Sequence, residues 1–198
     1  RLGVTAGRDR EVVSALRVAL EDVDSRVRRS AATALGEIGP DAAGATGQLT
    51  KRLHDPDPQV VRSAAQALGL IGRKASRAGR DLKPLLGDSD RDLRLAAADA
   101  LGRIGRETSA SSAVLATLLA SSEPETRAAA AAALGRIGKD AAATSSELTK
   151  LLGDDDPQVR AAAAEALGKI GSSAAPGLVA SLNGGNPVFL QAAVDALA

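Results

Sequence analysis

The chain has 198 residues, of which 25 are basic, 24 are acidic and only Phe189 is aromatic. The net charge of +1 gives no sign of a polyanion-binding protein, and the absence of cysteine excludes disulfides, thiolate metal sites and cysteine nucleophiles. No apolar run is long enough to span a bilayer and no signal peptide is visible, so we expect a cytoplasmic protein.

One sequence phrase recurs along the chain: ALGEIGP at residue 34 returns as ALGLIGR, ALGRIGR, ALGRIGK and ALGKIGS. Its leucine repeats every 33 residues, at positions 35, 68, 101, 134 and 167, and one later interval shortens to 30 residues. A fixed period of this length is typical of stacked repeat architectures. We therefore predict a single repeat domain over residues 1–198. It would comprise a partial repeat (1–22), five repeats (23–55, 56–88, 89–121, 122–154 and 155–185) and the first helix of a partial repeat (186–198).

Each repeat is predicted to contain two helices. The first begins at an acidic N-cap followed by proline at the first helical position, as at Asp57 and Pro58, and it ends at a glycine such as Gly72. A short linker leads to a second helix, marked in one repeat by Leu49 and Leu53. Neither helix could bury its apolar stripe alone, so burial must come from stacking on the neighbouring repeats.

A further glycine lies inside the last turn of each first helix, where it costs about 1 kcal/mol relative to alanine. A cost repeated at one position indicates a shared geometric cause. We predict that this glycine lets the first helix lie close against its partner in the pair, because a side chain there would push the two helices apart. The positions are Gly36, Gly69, Gly102, Gly135 and Gly168.

Both ends of the chain look unfinished in the repeat pattern. The amino end is predicted to start at the tail of a first helix, because Leu2 and Gly3 fall one period before Leu35. Terminal repeats normally carry polar caps. We expect either that the array continues or that the carboxyl end contacts another copy, since an uncapped last helix contains Phe189, Leu190 and Val194.

The pattern D-x-D-P-x-V-R-x-A-A-x-A-L-G-x-I-G resembles the HEAT-like repeat, in the short bacterial and archaeal subtype also found in phycobilin lyase subunits. The resemblance covers nearly the whole chain and implies an all-α fold, a right-handed α-solenoid of stacked two-helix repeats. It implies that the first helices line the convex side, that the second helices line the concave side, and that the concave side binds another protein.

The same resemblance implies a ladder of arginines that pair with an acidic turn residue of their own or of the neighbouring repeat. Val61 and Leu190 interrupt this ladder, and Arg62 stands one place after the first interruption. The ladder positions are Arg28, Arg94, Arg127 and Arg160.

No catalytic or metal-binding constellation is visible in the sequence. His54 is the only histidine, and serines such as Ser111 have no partner base. Helix capping already accounts for Asp57 and Asp156, and the spacing of a calcium loop is absent. We therefore expect no enzymatic activity, no cofactor and no metal.

The candidate binding residues are cations at outward positions of the second helices. A helical rotation of about 100° per residue places Arg77, Arg80 and Lys83 together on one outward face. The corresponding faces of the neighbouring repeats carry small residues, so the cations would form a positive band across a smooth, shallow groove. The candidate contact residues on the concave face are Arg17, Lys51, Arg77, Arg80 and Lys83.

Two interpretations of this positive band stay open. In one, the cations bind an acidic peptide or protein surface, since arginine suits bidentate contacts with carboxylates. In the other, they form a solvated helix face paired with Asp81.

The sequence thus favours a non-enzymatic protein-binding scaffold. A nucleic-acid-binding solenoid is the rival function, although the near-zero net charge and the lack of stacking aromatics weigh against it. A lyase-associated or regulatory subunit is a further alternative.

Overall fold

Helices account for all the regular secondary structure in the part of the chain that the structure describes. In the computed structural model the described backbone covers residues 2–105 and 109–174, and the described side chains cover residues 10–105, 112–172 and 174. None of the helices in these ranges is both long and apolar enough to cross a membrane. The residues predicted for an uncapped last helix lie outside the described ranges: Phe189, Leu190 and Val194.

The chain divides into two compact units, residues 1–104 and 105–198, each containing paired helices. The first unit contains α1, Leu2–Ala19; α2, Ser25–Ile38; α3, Thr46–Arg52; α4, Pro58–Ile71; α5, Gly79–Leu82; and α6, Arg91–Ile104. The second unit contains α7, Ser109–Leu118; α8, Pro124–Ile137; α9, Ser145–Lys150; and α10, Pro157–Ile170. Helices α2, α4, α6, α8 and α10 are the predicted first helices, and each has 14 residues.

Acidic side chains cap the starts of the first helices. Asp57 Oδ1 accepts a 2.8 Å hydrogen bond from the backbone N–H two residues later, and Pro58 occupies the first helical position. Asp24 and Asp156 cap α2 and α10 in the same way. These caps satisfy N–H groups that a helix cannot pair internally. At α8 the longer side chain of Glu123 makes no such cap.

The first helices end at glycines whose φ lies in the left-handed region. A residue with a side chain is strained there, whereas glycine is not. At the end of α4, the backbone N–H of Gly72 donates to the Leu68 carbonyl and so satisfies one of the last helical acceptors. The glycines are Gly39, Gly72, Gly105, Gly138 and Gly171, with φ between 62° and 73°.

The amino-terminal helix α1 lacks this break. It runs without interruption from Leu2 to Ala19, although a first-helix tail was predicted at its start. Ala6 stands in α1 where Gly39 stands one repeat later. Because alanine does not favour a positive φ, the chain continues as α-helix instead of turning.

The linkers before the second helices form 3₁₀ structure, which the apolar spacing alone does not predict. No side chain caps α3, α5 or α9, so the chain enters these helices through tighter i to i+3 hydrogen bonds. The preceding 3₁₀ segments are Gly39–Ala45, Gly72–Ala78 and Gly138–Thr144. Further 3₁₀ segments follow α5 and α9, at Lys83–Gly87 and Leu151–Gly153.

Within the first unit, a row of first helices packs against a row of second helices. Helix α4 lies between α2 and α6, and the second helices pack behind them. The repeated leucines fill the interior between the two rows, where they are at most 1% exposed. Each such side chain contributes about 1.5–3 kcal/mol on burial. The core leucines of this unit include Leu35, Leu49, Leu68, Leu82 and Leu101.

The second unit repeats this arrangement over its described residues. Helix α8 packs against α10, while α7 lies on α8 and α9 lies on α10. The repeated leucines are again fully buried, at Leu115, Leu134, Leu148 and Leu167. Burial in both units therefore joins neighbouring repeats, as the sequence predicts.

The glycines inside the last turns of first helices lie against the next first helix. A Cβ atom on Gly69 would lie 2.8 Å from Cα of Ala100, and one on Gly135 would lie 2.8 Å from Cα of Ala166. The corresponding distance at Gly36 is 3.1 Å. The close neighbour is therefore the first helix of the next repeat, whereas the sequence argument assumed the partner within the pair. The two remaining predicted positions are Gly102, which is buried, and Gly168, which is exposed.

Candidate functional site

Three of the candidate contact residues lie close together in sequence, in the second helix α5 and the 3₁₀ segments on either side of it. Arg77 lies in the 3₁₀ segment before α5, Arg80 lies in α5, and Lys83 begins the following 3₁₀ segment. Arg77 and Arg80 are exposed, and Lys83 is half-buried. Within the described residues, no carboxylate forms an ion pair with any of the three. We call these three residues the cationic patch.

Asp81 is the one acidic residue inside the segment that carries the cationic patch. Its Oδ1 atom lies 3.7 Å from Nε2 of His54, at the end of the preceding second helix. The Asp81 carboxylate thus lies beside a side chain of the preceding repeat, and within the described residues it makes no ion pair with the patch.

The other two candidate residues already have partners. The guanidinium of Arg17 lies 2.9 Å from the side-chain oxygen of Gln48, when that amide is oriented to accept. The Nζ atom of Lys51 lies 3.9 Å from a carboxylate oxygen of Glu21, with both side chains exposed. Since exposed pairs of this length contribute little, Lys51 stays free to exchange its partner.

A shallow depression separates two consecutive second helices near Arg17. It has a volume of about 360 Å³ and lies between α1 and α3. At α3 and the 3₁₀ segment that leads into it, a Cβ atom added to Gly44 or Gly47 would meet no heavy atom within 4 Å, so this part of the surface is open and smooth. The depression is lined by Ser14, Arg17, Val18, Glu21 and Gln48.

The ladder arginines lie in the first turns of the first helices, and their side chains reach the turns between repeats. Arg28 donates from Nε and Nη2 to the two carboxylate oxygens of Asp55, at 2.8 and 2.7 Å. Its Nη1 atom donates to the carbonyl oxygens of Asp22 and Val23, at 2.9 and 3.0 Å. One guanidinium thus joins the turn before its own helix to the turn before the next first helix. We call this arrangement of one arginine, two carbonyls and one carboxylate the arginine clasp.

A second complete arginine clasp lies in the second unit. Arg127 donates to both carboxylate oxygens of Asp154, at 2.8 and 2.7 Å, and to the carbonyls of Ser121 and Ser122, at 2.8 and 3.1 Å. In both complete clasps the carboxylate lies 27 residues after the arginine. The sequence prediction left the acidic partner open between two repeats, and in these two clasps it belongs to the turn that leads into the next first helix.

Two further ladder arginines bind the same pair of carbonyls. Nη1 of Arg94 donates to Asp88 and Ser89, and Nη1 of Arg160 donates to Asp154 and Asp155, all at 2.8–3.0 Å. The carbonyl half of the arginine clasp is therefore present at every ladder arginine in the described chain.

The electrostatics of the clasp stabilise its ionised form. Hydrogen bonds from Arg127 hold the pKa of Asp154 below its ordinary value of 3.8. For Asp55, burial alone would raise the pKa, but hydrogen bonds from Arg28 and from the N–H of Asp57 lower it overall. Both carboxylates are therefore charged at neutral pH.

No catalytic constellation emerges in the ranges that the structure describes. They contain no group of three or more histidine or acidic side chains placed to hold a metal ion. The sole histidine, His54, is exposed.

The profile of HEAT repeats matches residues 2–69, 46–122 and 111–198, which together span nearly the whole chain. The chain belongs to the HEAT-repeat family. This confirms the resemblance inferred from the repeated motif. No curated protein matches the sequence significantly.

Solved structures similar to this HEAT-repeat chain include an engineered protein, a designed armadillo repeat protein and a lyase complex. An engineered protein from a structural genomics consortium is 28% identical over 93% of this chain and 94% of its own, with a TM-score of 0.71. A designed armadillo repeat protein in complex with the peptide (KR)4 is 22% identical over 91% and 96%, with a TM-score of 0.69. The complex of CpcE and CpcF of phycocyanin lyase from Nostoc is 24% identical over 98% and 85%, with a TM-score of 0.59. These likenesses confirm the fold class, an α-solenoid of two-helix repeats.

Proposed function

We propose that this HEAT-repeat chain is a non-enzymatic scaffold that binds an acidic protein or peptide through the face of its second helices. The cationic patch of Arg77, Arg80 and Lys83 is the proposed centre of contact. The observation that carries this proposal is that three neighbouring cations make no ion pair within the described residues. Their one acidic neighbour in sequence, Asp81, lies 3.7 Å from Nε2 of His54 instead.

The solved relatives support a binding role for this fold. The designed armadillo repeat protein holds a peptide, and CpcE and CpcF form a complex with each other. The peptide in the first case is basic, whereas the patch here is positive. Charge complementarity therefore favours an acidic ligand for this chain.

The chemistry of the patch suits a carboxylate-rich segment. Arginine binds a carboxylate through two parallel N–H···O bonds, and lysine adds a point charge. Exposed ion pairs contribute about 0.2–1 kcal/mol each, so three of them give an affinity change of roughly 3- to 150-fold. Further contacts between a longer ligand and the smooth surface of the second helices would increase the affinity.

Fluorescence anisotropy with a labelled hexaglutamate peptide tests the proposal at low salt. The triple variant Arg77→Ala, Arg80→Ala, Lys83→Ala should bind at least about threefold more weakly than the wild type. A matched control removes three exposed cations elsewhere, with Arg10→Ala, Arg29→Ala and Lys139→Ala. Because both variants change the net charge equally, a loss in the patch variant alone identifies a local site.

The same titration with a labelled single-stranded oligonucleotide addresses the rival ligand class. Binding of nucleic acid depends strongly on salt because it releases counterions from the phosphates. Tight oligonucleotide binding that the patch variant loses, without any binding of hexaglutamate, would replace the proposal by a nucleic-acid function. Equal peptide binding by the wild type and the patch variant would remove the site assignment.

A further inference from the structure

One ladder position in the described chain carries a valine. Val61 stands 33 residues after Arg28 and before Arg94, so it occupies the arginine position of the repeat at 56–88. Its side chain is 6% exposed and has no polar atom. The structure therefore offers a direct comparison between repeats with and without the clasp arginine.

The acceptors of the arginine clasp persist in this repeat. The two carbonyls that a residue at position 61 would reach, by analogy with the other ladder arginines, are those of Asp55 and Pro56. Neither carbonyl accepts a hydrogen bond from another described residue. The carboxylate at the matching distance of 27 residues is that of Asp88, which accepts one hydrogen bond of 2.8 Å, from the N–H of Asp90. The Asp55 carboxylate accepts a hydrogen bond from the N–H of Asp57 in the same way, at 3.1 Å, and it also accepts hydrogen bonds from the Arg28 guanidinium.

A cavity lies where the guanidinium is missing. Its volume is about 570 Å³, and it opens to solvent between the turn at 54–57 and the turn at 88–90. Val61 and Leu93 line it together with Leu53 and Leu85, which gives an apolar wall for a methylene chain. The acceptor residues Asp55, Pro56 and Asp88 also line this cavity.

The neighbouring arginine does not fill the cavity. Arg62 donates from Nη1 to Asp92 Oδ2 at 2.5 Å and from Nη2 to the side-chain oxygen of Gln59. Arg62 and Asp92 line a different depression, on the first helices. The arginine one place later in sequence thus has its own partners.

We propose that this cavity binds an arginine side chain supplied by a partner polypeptide. The guanidinium would donate to the carbonyls of Asp55 and Pro56 and to the carboxylate of Asp88, as the clasp arginines do within the chain. Lysine fits less well, because its ammonium group cannot supply the planar fork that reaches two separate acceptors. The site includes no residue of the cationic patch and takes a ligand of opposite charge, so it stands independently of the proposed function.

Titration of the full chain with N-acetyl-arginine amide, followed by amide NMR shifts, tests the site. The expected result is saturable amide shifts at His54, Asp55 and Asp57 and at residues 88–90. N-acetyl-lysine amide should bind roughly tenfold more weakly, and N-acetyl-citrulline amide, which has the shape without the charge, should not bind. Equal shifts with citrulline and arginine would overturn the proposal. Tighter binding of free L-arginine than of the capped compound would also overturn it, since a partner chain offers no free amino and carboxyl groups.

Two substitutions distinguish binding of the probe in this cavity from nonspecific binding elsewhere on the chain. Val61→Arg should occupy the cavity with an internal clasp arginine and abolish binding of the probe. Asp88→Asn should keep an oxygen for the Asp90 N–H but remove the charge, so probe affinity should fall about tenfold. Asp92→Asn is the matched control, because Asp92 pairs with Arg62 outside the cavity and its loss should leave affinity unchanged. Unchanged affinity in Asp88→Asn would contradict the proposal even if Val61→Arg failed to fold.

Discussion

Arg28 and Asp55 lie 27 residues apart in sequence and form a two-pronged ion pair, with Nη2 of Arg28 2.7 Å from Oδ1 of Asp55. The side chains are 9% and 0% exposed, respectively. The same guanidinium binds the carbonyls of Asp22 and Val23. Each clasp therefore connects consecutive inter-repeat turns by hydrogen bonds, in addition to the apolar contacts between helices.

Removing the clasp arginine should destabilise the first unit. In Arg28→Ala, the Asp55 carboxylate keeps Arg52 at 3.3 Å but loses its two-pronged partner. Two turn carbonyls also lose their donor. Because a buried charge without its partner is costly, the thermal midpoint should fall by on the order of 5–10 °C. Circular dichroism at 222 nm measures this midpoint.

Arg26→Ala is the matched control for that experiment. Arg26 belongs to the same helix and pairs with Asp24, but its side chain is 82% exposed. Since exposed pairs contribute little, the midpoint should change by about 1 °C or less. Equal effects of the two substitutions would mean that the clasp contributes no more than a surface pair.

The clasp carboxylates should make stability depend on acid pH. The pKa values of Asp55 and Asp154 are lowered from 3.8 in the folded chain. A lowered folded pKa contributes stability that is present above the unfolded value and is lost as pH falls through the folded value. Thermal midpoints should therefore hold between pH 7 and about pH 5 and fall below about pH 4.

Asp55→Asn isolates one carboxylate in this pH series. The substitution removes the charge that Arg28 binds, so the variant should be less stable than the wild type at pH 7. Its deficit should shrink as pH falls below about 4, because the wild-type carboxylate then binds a proton in the unfolded chain before it does so in the folded chain. A constant difference from neutral to acid pH would show that the charge of Asp55 does not supply the stability.

In Gly69→Ala, the steric cost of the close approach between helices should exceed the gain in helix propensity. Gly69→Ala would gain about 1 kcal/mol of helix propensity in isolation. A Cβ atom there would lie 2.8 Å from the Cα of Ala100, so the backbone of the next first helix would have to shift. We expect the free energy of unfolding to fall by on the order of 1–3 kcal/mol, measured by urea denaturation.

Gly47→Ala provides the opposite case. Gly47 lies within α3, and a Cβ atom there would meet no heavy atom within 4 Å. Substitution should therefore be neutral or stabilising, by up to about 1 kcal/mol. If both alanine variants were stabilised, the glycines of the first helices would have no packing role.

The repeated sequence predicts the first helices well, because the signals that start and stop them are local. An acidic cap with Pro58 and a glycine at Gly72 bracket a helix that the structure places at Pro58–Ile71. Both signals act through backbone geometry that one residue can set. The 3₁₀ linkers were not predicted, because apolar spacing does not distinguish i to i+3 from i to i+4 hydrogen bonds over a few residues.

Interactions between repeats are harder to predict from sequence. The spacing suggested an acidic partner for Arg28 but could not say which turn supplies it, since both turns contain aspartates. The structure resolves this choice in favour of Asp55, the first acidic residue of the D-x-D pattern before the next first helix. That residue, missed as a functional position, is signalled by the pattern itself. The ligand of the cationic patch stays a prediction, because its chemistry belongs to another molecule.

The most direct measurement of the proposed binding face is hydrogen–deuterium exchange of the chain with and without saturating hexaglutamate peptide. The account predicts slower exchange in residues 72–87, which carry the cationic patch, and unchanged exchange in the first helices α2 and α4. The patch variant with Arg77, Arg80 and Lys83 changed to alanine should show no such protection. Protection confined to the first helices, or protection of 72–87 that survives in the patch variant, would contradict it.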